Sequence, residues 1–168
     1  MALASRLKLQ HIRCEFVPEY ATELVLGKDF VTLSNQVAVT SEQYRRQFIL
    51  DGEVDIMCTD SPLPLGIVYR NRKRGCGKNW QRSIIDQFNE FTNINFNLLR
   101  QPGVVPHDMT GRMHNELQSI QADIEVRKVL EEYNIPFMDV PVTGPEVIDR
   151  IHLELMRIIG DKYGYMVP

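Results

Sequence analysis

The sequence predicts an α/β fold, with a mostly parallel sheet and helices on both faces, in a single domain over residues 1–168. Helix-like and strand-like segments alternate along the chain, which is the pattern of this fold class. The segment 54–59 (VDIMCT) is almost continuously apolar, and such strands are typical of parallel sheets that are covered on both faces. A length of 168 residues is enough for one domain with its own core.

The first half of the chain is predicted to contain three helices and two strands. Helical spacing of apolar residues predicts the helices, at residues 2–10, 19–26 and 41–51. Ser41 is the expected N-cap of the third helix, and Gly52 is expected to close it. Short apolar runs predict the strands, at residues 12–17 and 54–59.

The second half is predicted to continue the alternation. The polar, basic and glycine-containing stretch 66–82 indicates a loop. Helices are expected at residues 83–92, 115–133 and 147–159, and strands at residues 94–99 and 135–142. The sequence TGPE at 143–146 is an N-terminal helix signal, and Gly160 is expected to stop the last helix. Residues 100–110 are expected to form a loop, and the tail 161–168 to be irregular.

Composition and charge exclude several classes of protein. The net charge of −3 argues against general binding of nucleic acids. No apolar run approaches the roughly 20 residues that span a bilayer, so no membrane partner is expected. The N-terminal stretch is interrupted by charge and does not fit a signal peptide. Three cysteines without metal-like spacing (Cys14, Cys58 and Cys76) indicate reduced thiols in a cytoplasmic protein, with Cys14 and Cys58 in the core.

Two carboxylates follow predicted strands. Glu19 comes after the first strand and Asp60 after the second. Ligands of open α/β sheets bind outside the carboxyl ends of the strands, so Glu19 is a candidate for accepting a substrate proton or binding a sugar hydroxyl. Asp60 is a candidate general base or magnesium ligand. The alternatives are a first-turn acid of a helix for Glu19, and a turn in which Asp60 binds its own backbone.

A loop bounded by two arginines is a candidate lid. Arg100 and Arg112 flank a stretch that contains two prolines and two glycines. The planar guanidinium group suits phosphate oxygens, and a loop of this kind over residues 100–112 is suited to closing over a ligand. The alternative is a solvated loop with charges at its rim.

A second loop, over residues 70–82, is rich in positive charge. Its basic residues are candidates for contacting phosphate or an acidic partner: Arg70, Arg72, Lys73, Arg74 and Lys78. It is not a phosphate-binding loop of the Walker A type, because Asn79 stands where that motif needs Ser or Thr. The alternative is a solvated charged loop.

Four segments, in order and spacing, resemble a known family. They are CEFVPEYATELV, VDIMCTDSPLPLGIVY, INFNLLR with a downstream TGR, and IPFMDVPV. Together they resemble the phage and bacterial P-loop nucleoside and nucleotide kinase-like family, which includes the ribosylnicotinamide kinase domain, an AAA-type ATPase-kinase of NAD metabolism. The resemblance covers about residues 3–159.

The resemblance implies roles for individual residues. Glu19 and Tyr20 match positions that face the acceptor substrate, and Asp60 matches the acid near magnesium. Arg100 and Arg112 match charged residues around the lid, which neutralise the transferring phosphate. The family's first strand and its GxxxxGK[ST] loop are not among these 168 residues, so the resemblance implies a truncated version of the three-layer fold.

The family's first strand lies in the middle of its sheet, between the third and fourth strands. Without it, two buried strand edges are left unpaired, which is costly. We therefore expect a rearranged sheet in which those strands close up, or an oligomer in which another chain or segment fills the gap.

Two functions are compatible with the sequence. The first is a degenerate kinase-like protein of phage type, without a cofactor, which binds a host protein or a nucleotide in the bacterial cytoplasm. The second is a small-molecule kinase that uses Mg-ATP, with its Walker A segment upstream of Met1. Its acceptor would be a nucleoside, a nucleotide or nicotinamide riboside. The acceptor and the partner are left open.

Overall fold

The computed structural model describes residues 1–70, 76–101 and 116–163. Within these ranges the chain forms eight helices and four strands. The helices are α1 (Ala2–Leu9), α2 (Tyr20–Leu26), α3 (Phe30–Leu33), α4 (Gln36–Phe48), α5 (Leu65–Val68), α6 (Lys78–Asn89), α7 (Glu116–Glu132) and α8 (Val147–Tyr163). The strands are β1 (Cys14–Val17), β2 (Ile56–Thr59), β3 (Phe96–Leu99) and β4 (Met138–Pro141).

The strands form two separate parallel pairs. β1 pairs with β2, with Val17 opposite Thr59 at the carboxyl end. β3 pairs with β4, with Leu99 opposite Pro141. Among the described residues no hydrogen-bonded ladder joins β2 to β3. The prediction of a mixed α/β fold with parallel strands is confirmed, whereas β2 and β3 have not closed up.

Helices α1 and α8 pack against one set of alternating strand side chains. The first cluster joins Leu7 of α1 and Leu155 of α8 to Cys14 of β1, with Ile56 of β2 and Phe96 of β3 packed against it. A smaller cluster joins α8 to β4, and Leu3 and Phe96 take part in both. Because one core contains side chains from both strand pairs, α1 and α8 hold the two pairs together.

The remaining core lies between helices α4 to α7. Its buried members are Leu63, Ile67, Ile84, Ile85, Phe88, Val129 and Ile135. Helix α7 reaches the opposite set of strand side chains, since the Arg127 guanidinium binds Asp139 of β4 at 2.7 Å and Asn97 of β3 binds the same carboxylate at 2.7 Å. The strand pair β3–β4 therefore has α8 on one face and α7 on the other.

Helix α4 begins earlier than its sequence signal indicated. Ser41 was the expected N-cap, but the helix starts at Gln36 and is capped by Asn35, whose side chain accepts a hydrogen bond from the Ala38 amide at 3.3 Å. Both residues have a favoured capping side chain. Val39 and Thr40 come before Ser41 and are buried, and their packing stabilises the helix from Gln36 onward. The prediction of residues 41–51 was therefore wrong at its start.

The stretch predicted as loop over residues 66–82 contains two helical segments. α5 is short, and α6 begins at Lys78, directly after Gly77. The apolar positions Ile84, Ile85 and Phe88 bury one face of α6, and this packing stabilises a helix whose first turn is polar. The basic loop that was expected over residues 70–82 therefore ends before Lys78, where α6 begins.

Gly160 does not end α8, which continues to Tyr163. An ion pair between Arg157 and Asp161, at 2.9 Å, spans the glycine along the helix surface. A glycine in a helix costs only about 1 kcal/mol, and the packed residues Leu155 and Met156 hold the turn before it. In the described ranges, no helix is both long and apolar enough to cross a membrane.

Candidate functional site

All four strands point the same way, so their carboxyl ends share one edge. Arg6 of α1 binds Asp149 of α8, and one turn later Gln10 binds His152 at 2.7 Å. Because the residue numbers rise in both helices from the first contact to the second, α1 and α8 are parallel. α1 leads into β1 through a tight turn at His11, which has a φ of 61°, and α8 turns back from β4. Each helix is antiparallel to its adjacent strand.

Glu19 and Asp60 both follow the carboxyl ends of the paired strands β1 and β2. Val17 is opposite Thr59 in the ladder, and neighbouring strands lie about 4.8 Å apart. Glu19 follows Val17 by two residues and Asp60 directly follows Thr59. The two carboxylates that the sequence singled out therefore follow the same end of the β1–β2 pair.

Glu19 occupies the N-cap position of α2 without capping it. Its side chain makes no hydrogen bond to the helix amides, and its Oε2 instead accepts from the Thr22 hydroxyl at 2.5 Å. The Tyr20 amide donates to Oε1 of Gln43, on α4, at 3.0 Å. Gln43 thus satisfies the first amide of α2, and Thr22 holds the Glu19 carboxylate at the first turn of this helix.

Tyr20 is held by a charged network between α2 and α4. The guanidinium of Arg46 lies over the Tyr20 ring, 4.8 Å from its centroid. Arg46 also binds both carboxylate oxygens of Glu23, at 2.5 and 2.7 Å, and this lowers the pKa of Glu23. Hydrogen bonds from Arg45 and Arg46 hold the pKa of Glu42 at about 2. The network fixes α2 on α4 and orients the Tyr20 ring.

Asp60 is exposed and is not used to hold its own turn. The hydroxyl of Thr59 accepts a hydrogen bond from the Ser61 amide at 3.0 Å. Thr59 thus has the structural role that the sequence allowed for Asp60. Among the described residues, Asp60 has no side-chain hydrogen bond or ion pair, so its carboxylate is available to a ligand at the edge.

Arg100 follows β3 and is tied to α7. Its Nε donates to Oδ2 of Asp123 at 3.1 Å, which fixes the guanidinium at the carboxyl end of the second strand pair. Arg112 lies outside the described residues, as does most of the proposed lid over residues 100–112. The lid and the role of Arg112 stay predictions.

The amino end of α1 reaches the same edge. The Met1 amino group is close enough to Cys58, near the end of β2, to contribute to lowering the pKa of its thiol. The largest contribution is the hydrogen bond with Cys14, whose Sγ lies 3.6 Å from Sγ of Cys58. The same contact, followed by burial, raises the pKa of Cys14. Ala4 of α1 and Cys58 of β2 also belong to one core cluster, so the amino half of α1 packs near β2.

The described ends of the basic loop both have intramolecular partners. Arg70 donates to the carbonyl of Ile67, and Lys78 binds Glu132 of α7 at 2.7 Å. Arg72, Lys73 and Arg74 lie outside the described residues. The proposal of a partner surface on this loop stays untested.

Several residues at the site were missed from sequence. Gln43 and Arg46 are ordinary polar residues of a helix, and only the packing of α4 against α2 gives them a role. Their spacing of three on one helix face was the available signal. In the described ranges, no group of three or more His, Cys, Asp or Glu side chains is placed to hold a metal ion, so Asp60 is a single candidate ligand.

Comparison of this chain with protein-family models, with curated proteins and with solved structures finds no match. The resemblance to P-loop kinases therefore stays an expectation from the sequence.

Proposed function

We propose that this protein is a phosphotransferase of the nucleoside or nucleotide kinase class. One further parallel strand, between β2 and β3, and a phosphate-binding loop ahead of Met1 would complete it. The observation that carries this proposal is that no ladder joins β2 to β3 among the described residues, so each of them is paired along one edge only.

Right-handed crossovers, which parallel strands almost always use, fix the strand order. The connection from β3 to β4 runs through α7, on the face of these strands opposite to α8, and we take the connections from β1 to β2 and from β2 to β3 to lie on that face as well. Each successive strand then lies on the same side of the one before it. The resulting order is β1, β2, β3, β4, which makes β2 and β3 the inner strands.

The same rule gives a place for a strand that leads into α1. Since α1 lies on the opposite face, a right-handed connection through α1 to β1 starts from a strand on the β2 side of β1. The position between β2 and β3 meets this condition. Such a strand would end at the carboxyl edge beside Met1, and its turn into α1 would put a loop over helix amides suited to phosphate.

The inner strands have the surface expected for such a position. All four residues of β2 are half-buried although three of them are apolar, and Leu98 of β3 is 52% exposed. A strand that has partly exposed apolar side chains and no partner along one edge is a site for strand addition. One more strand would cover it.

The residues at the edge fit the chemistry of phosphoryl transfer. Carboxylate oxygens are the ligands that Mg²⁺ prefers, and Asp60 has an available carboxylate next to the end of β2. Glu19 is placed to accept the proton of a sugar hydroxyl. Arg100 is suited to phosphate oxygens. Mg-ATP, when bound, would supply the phosphoryl group and screen its charge.

The test compares two lengths of the protein. The coding sequence ahead of the Met1 codon is read for a strand followed by GxxxxGK[ST], and the chain is produced from both starts. Walker A contacts contribute roughly 1.5–3 kcal/mol each. With three or four of them, the longer chain should bind Mg-ATP on the order of a thousandfold more tightly. It should also transfer phosphate to a nucleoside.

Two matched substitutions locate the chemistry. Asp60→Asn in the longer chain should abolish transfer, whereas Asp86→Asn, at an exposed position of α6, should leave it unchanged. A longer chain that neither binds Mg-ATP nor transfers phosphate would show that the kinase proposal is wrong.

The second candidate is a protein that binds a nucleotide or a host protein without transfer. The exposed inner edge favours it, because a strand from another chain can pair there as well. In that case the chain starting at Met1 would form a stable dimer or a complex with a second protein, and Mg-ATP would not dissociate it.

A further inference from the structure

We infer that Gln43 is a positioning residue for Glu19, which it holds at the carboxyl edge for contact with a ligand hydroxyl. The inference rests on the proposed function for the identity of the ligand class, a nucleoside. The contact between Gln43 and the Glu19 segment does not depend on it.

Gln43 binds the backbone on both sides of Glu19. Its Oε1 accepts from the Tyr20 amide at 3.0 Å, and its Nε2 donates to the Pro18 carbonyl at 3.4 Å. Only 3% of Gln43 is exposed. A buried amide with both ends satisfied has one favourable orientation, so the two bonds fix the peptide groups that flank Glu19.

This arrangement decides where the Glu19 carboxylate lies. Glu19 has extended backbone, with φ −66° and ψ 120°, at the N-cap position. An N-cap side chain normally turns back to bind the second or third amide of its helix. Here Gln43 binds the first amide of α2 from outside, and the Thr22 hydroxyl holds Oε2 of Glu19 at 2.5 Å, so the carboxylate is held at the turn between β1 and α2.

The same helix supplies a matched control. Gln47 lies one turn further along α4 and is 6% exposed, but its Nε2 has no hydrogen-bond partner. Gln43→Met and Gln47→Met each replace a buried amide by an apolar group of similar length. Only the first removes bonds to the Glu19 segment.

The experiment measures the carboxyl ¹³C resonance of Glu19 by NMR in the full chain, together with the affinity for adenosine. Gln43→Met should move the resonance toward that of glutamate in an unstructured peptide, and Gln47→Met should not. Gln43→Glu keeps the acceptor for the Tyr20 amide and loses the donor to Pro18, so it should give a smaller change. If Gln43→Met does not fold, Gln43→Glu provides the measurement instead.

The binding data separate this inference from the proposed function. If adenosine binds, Gln43→Met should weaken binding about tenfold, and adding it to Glu19→Gln should cause no further loss. If adenosine does not bind, a nucleoside site is contradicted, and the resonance still decides the role of Gln43. A Glu19 resonance that is unchanged in folded Gln43→Met and Gln43→Glu would overturn the inference.

Discussion

Cys14 and Cys58 are neighbours across β1 and β2, with their sulfur atoms 3.6 Å apart. The hydrogen bond between the two sulfur atoms lowers the pKa of Cys58 and raises that of Cys14. We predict that iodoacetamide modifies Cys58 first, because the thiolate is the reactive form. The rate against pH, followed by mass spectrometry, should give a Cys58 pKa below its ordinary value of 9.0.

Two substitutions at Cys14 test this explanation of Cys58 reactivity. Cys14→Ala removes the donor and should raise the pKa of Cys58, whereas Cys14→Ser keeps a hydroxyl donor and should largely preserve it. Equal Cys58 pKa values in both variants and the parent would contradict the role of the hydrogen bond. Cys76→Ala is included throughout to remove the third thiol.

Arg46 is predicted to need its planar guanidinium group. Arg46→Lys keeps the charge but loses the paired bonds to Glu23 and the stacking on Tyr20. Since the Arg46 side chain is only 18% exposed, we expect a loss of about 1 kcal/mol in the free energy of unfolding, measured in urea. Arg45→Lys is the control, because Arg45 is more exposed and pairs with Glu42 at the surface. A similar loss in both variants would show that the fork of Arg46 is unimportant.

Much of the fold follows from local patterns. The runs around Cys14 and Cys58 are apolar and end in proline or Asp-Ser-Pro, so the positions and parallel pairing of these strands were predictable from sequence. The start of α4 was not, because Asn35 and Ser41 have equivalent capping side chains and tertiary packing chooses between them. Similarly, α6 is polar in its first turn, and its buried face appears only against α5 and α7.

The candidate site was predictable only where it depends on strand ends. Asp60 follows β2 directly and Glu19 follows β1 by two residues, and parallel pairing of the strands puts both after the same end of the pair. Gln43 lies 24 residues after Glu19, and its role depends on how α4 packs against α2. Composition and spacing do not contain that information. The separation of β2 from β3 likewise depends on contacts across the whole chain.

Gly66 is predicted to set the approach of α5 to α4. A Cβ at Gly66 would overlap the hydroxyl of Thr40, which is buried and has no hydrogen-bond partner. Gly66→Ala should therefore lower the free energy of unfolding by about 1–3 kcal/mol. In a Thr40→Ala background most of this loss should disappear.

Urea unfolding of the four proteins measures the coupling between Gly66 and Thr40. Gly77→Ala is the matched control, because a Cβ there has no atom within 4 Å. If the loss at Gly66 were the same with and without Thr40, the overlap would not be its cause.

His152 is predicted to make stability depend on pH near neutrality. Burial, followed by the charge of Arg6, lowers its pKa below the ordinary value of 6.5, and its Nε2 contacts Gln10 at 2.7 Å. In the unfolded chain His152 gains a proton near its ordinary pKa, whereas in the folded chain it gains one only at lower pH. Its contribution to the free energy of unfolding is therefore fully present above pH 6.5 and declines as the pH falls.

Urea unfolding at about pH 7.5 and about pH 5.5 should show a smaller loss of stability for His152→Gln than for the parent. Arg6→Gln should also reduce the loss, since it allows the pKa of His152 to return toward its ordinary value. Equal losses in all three proteins would assign the pH dependence to other groups.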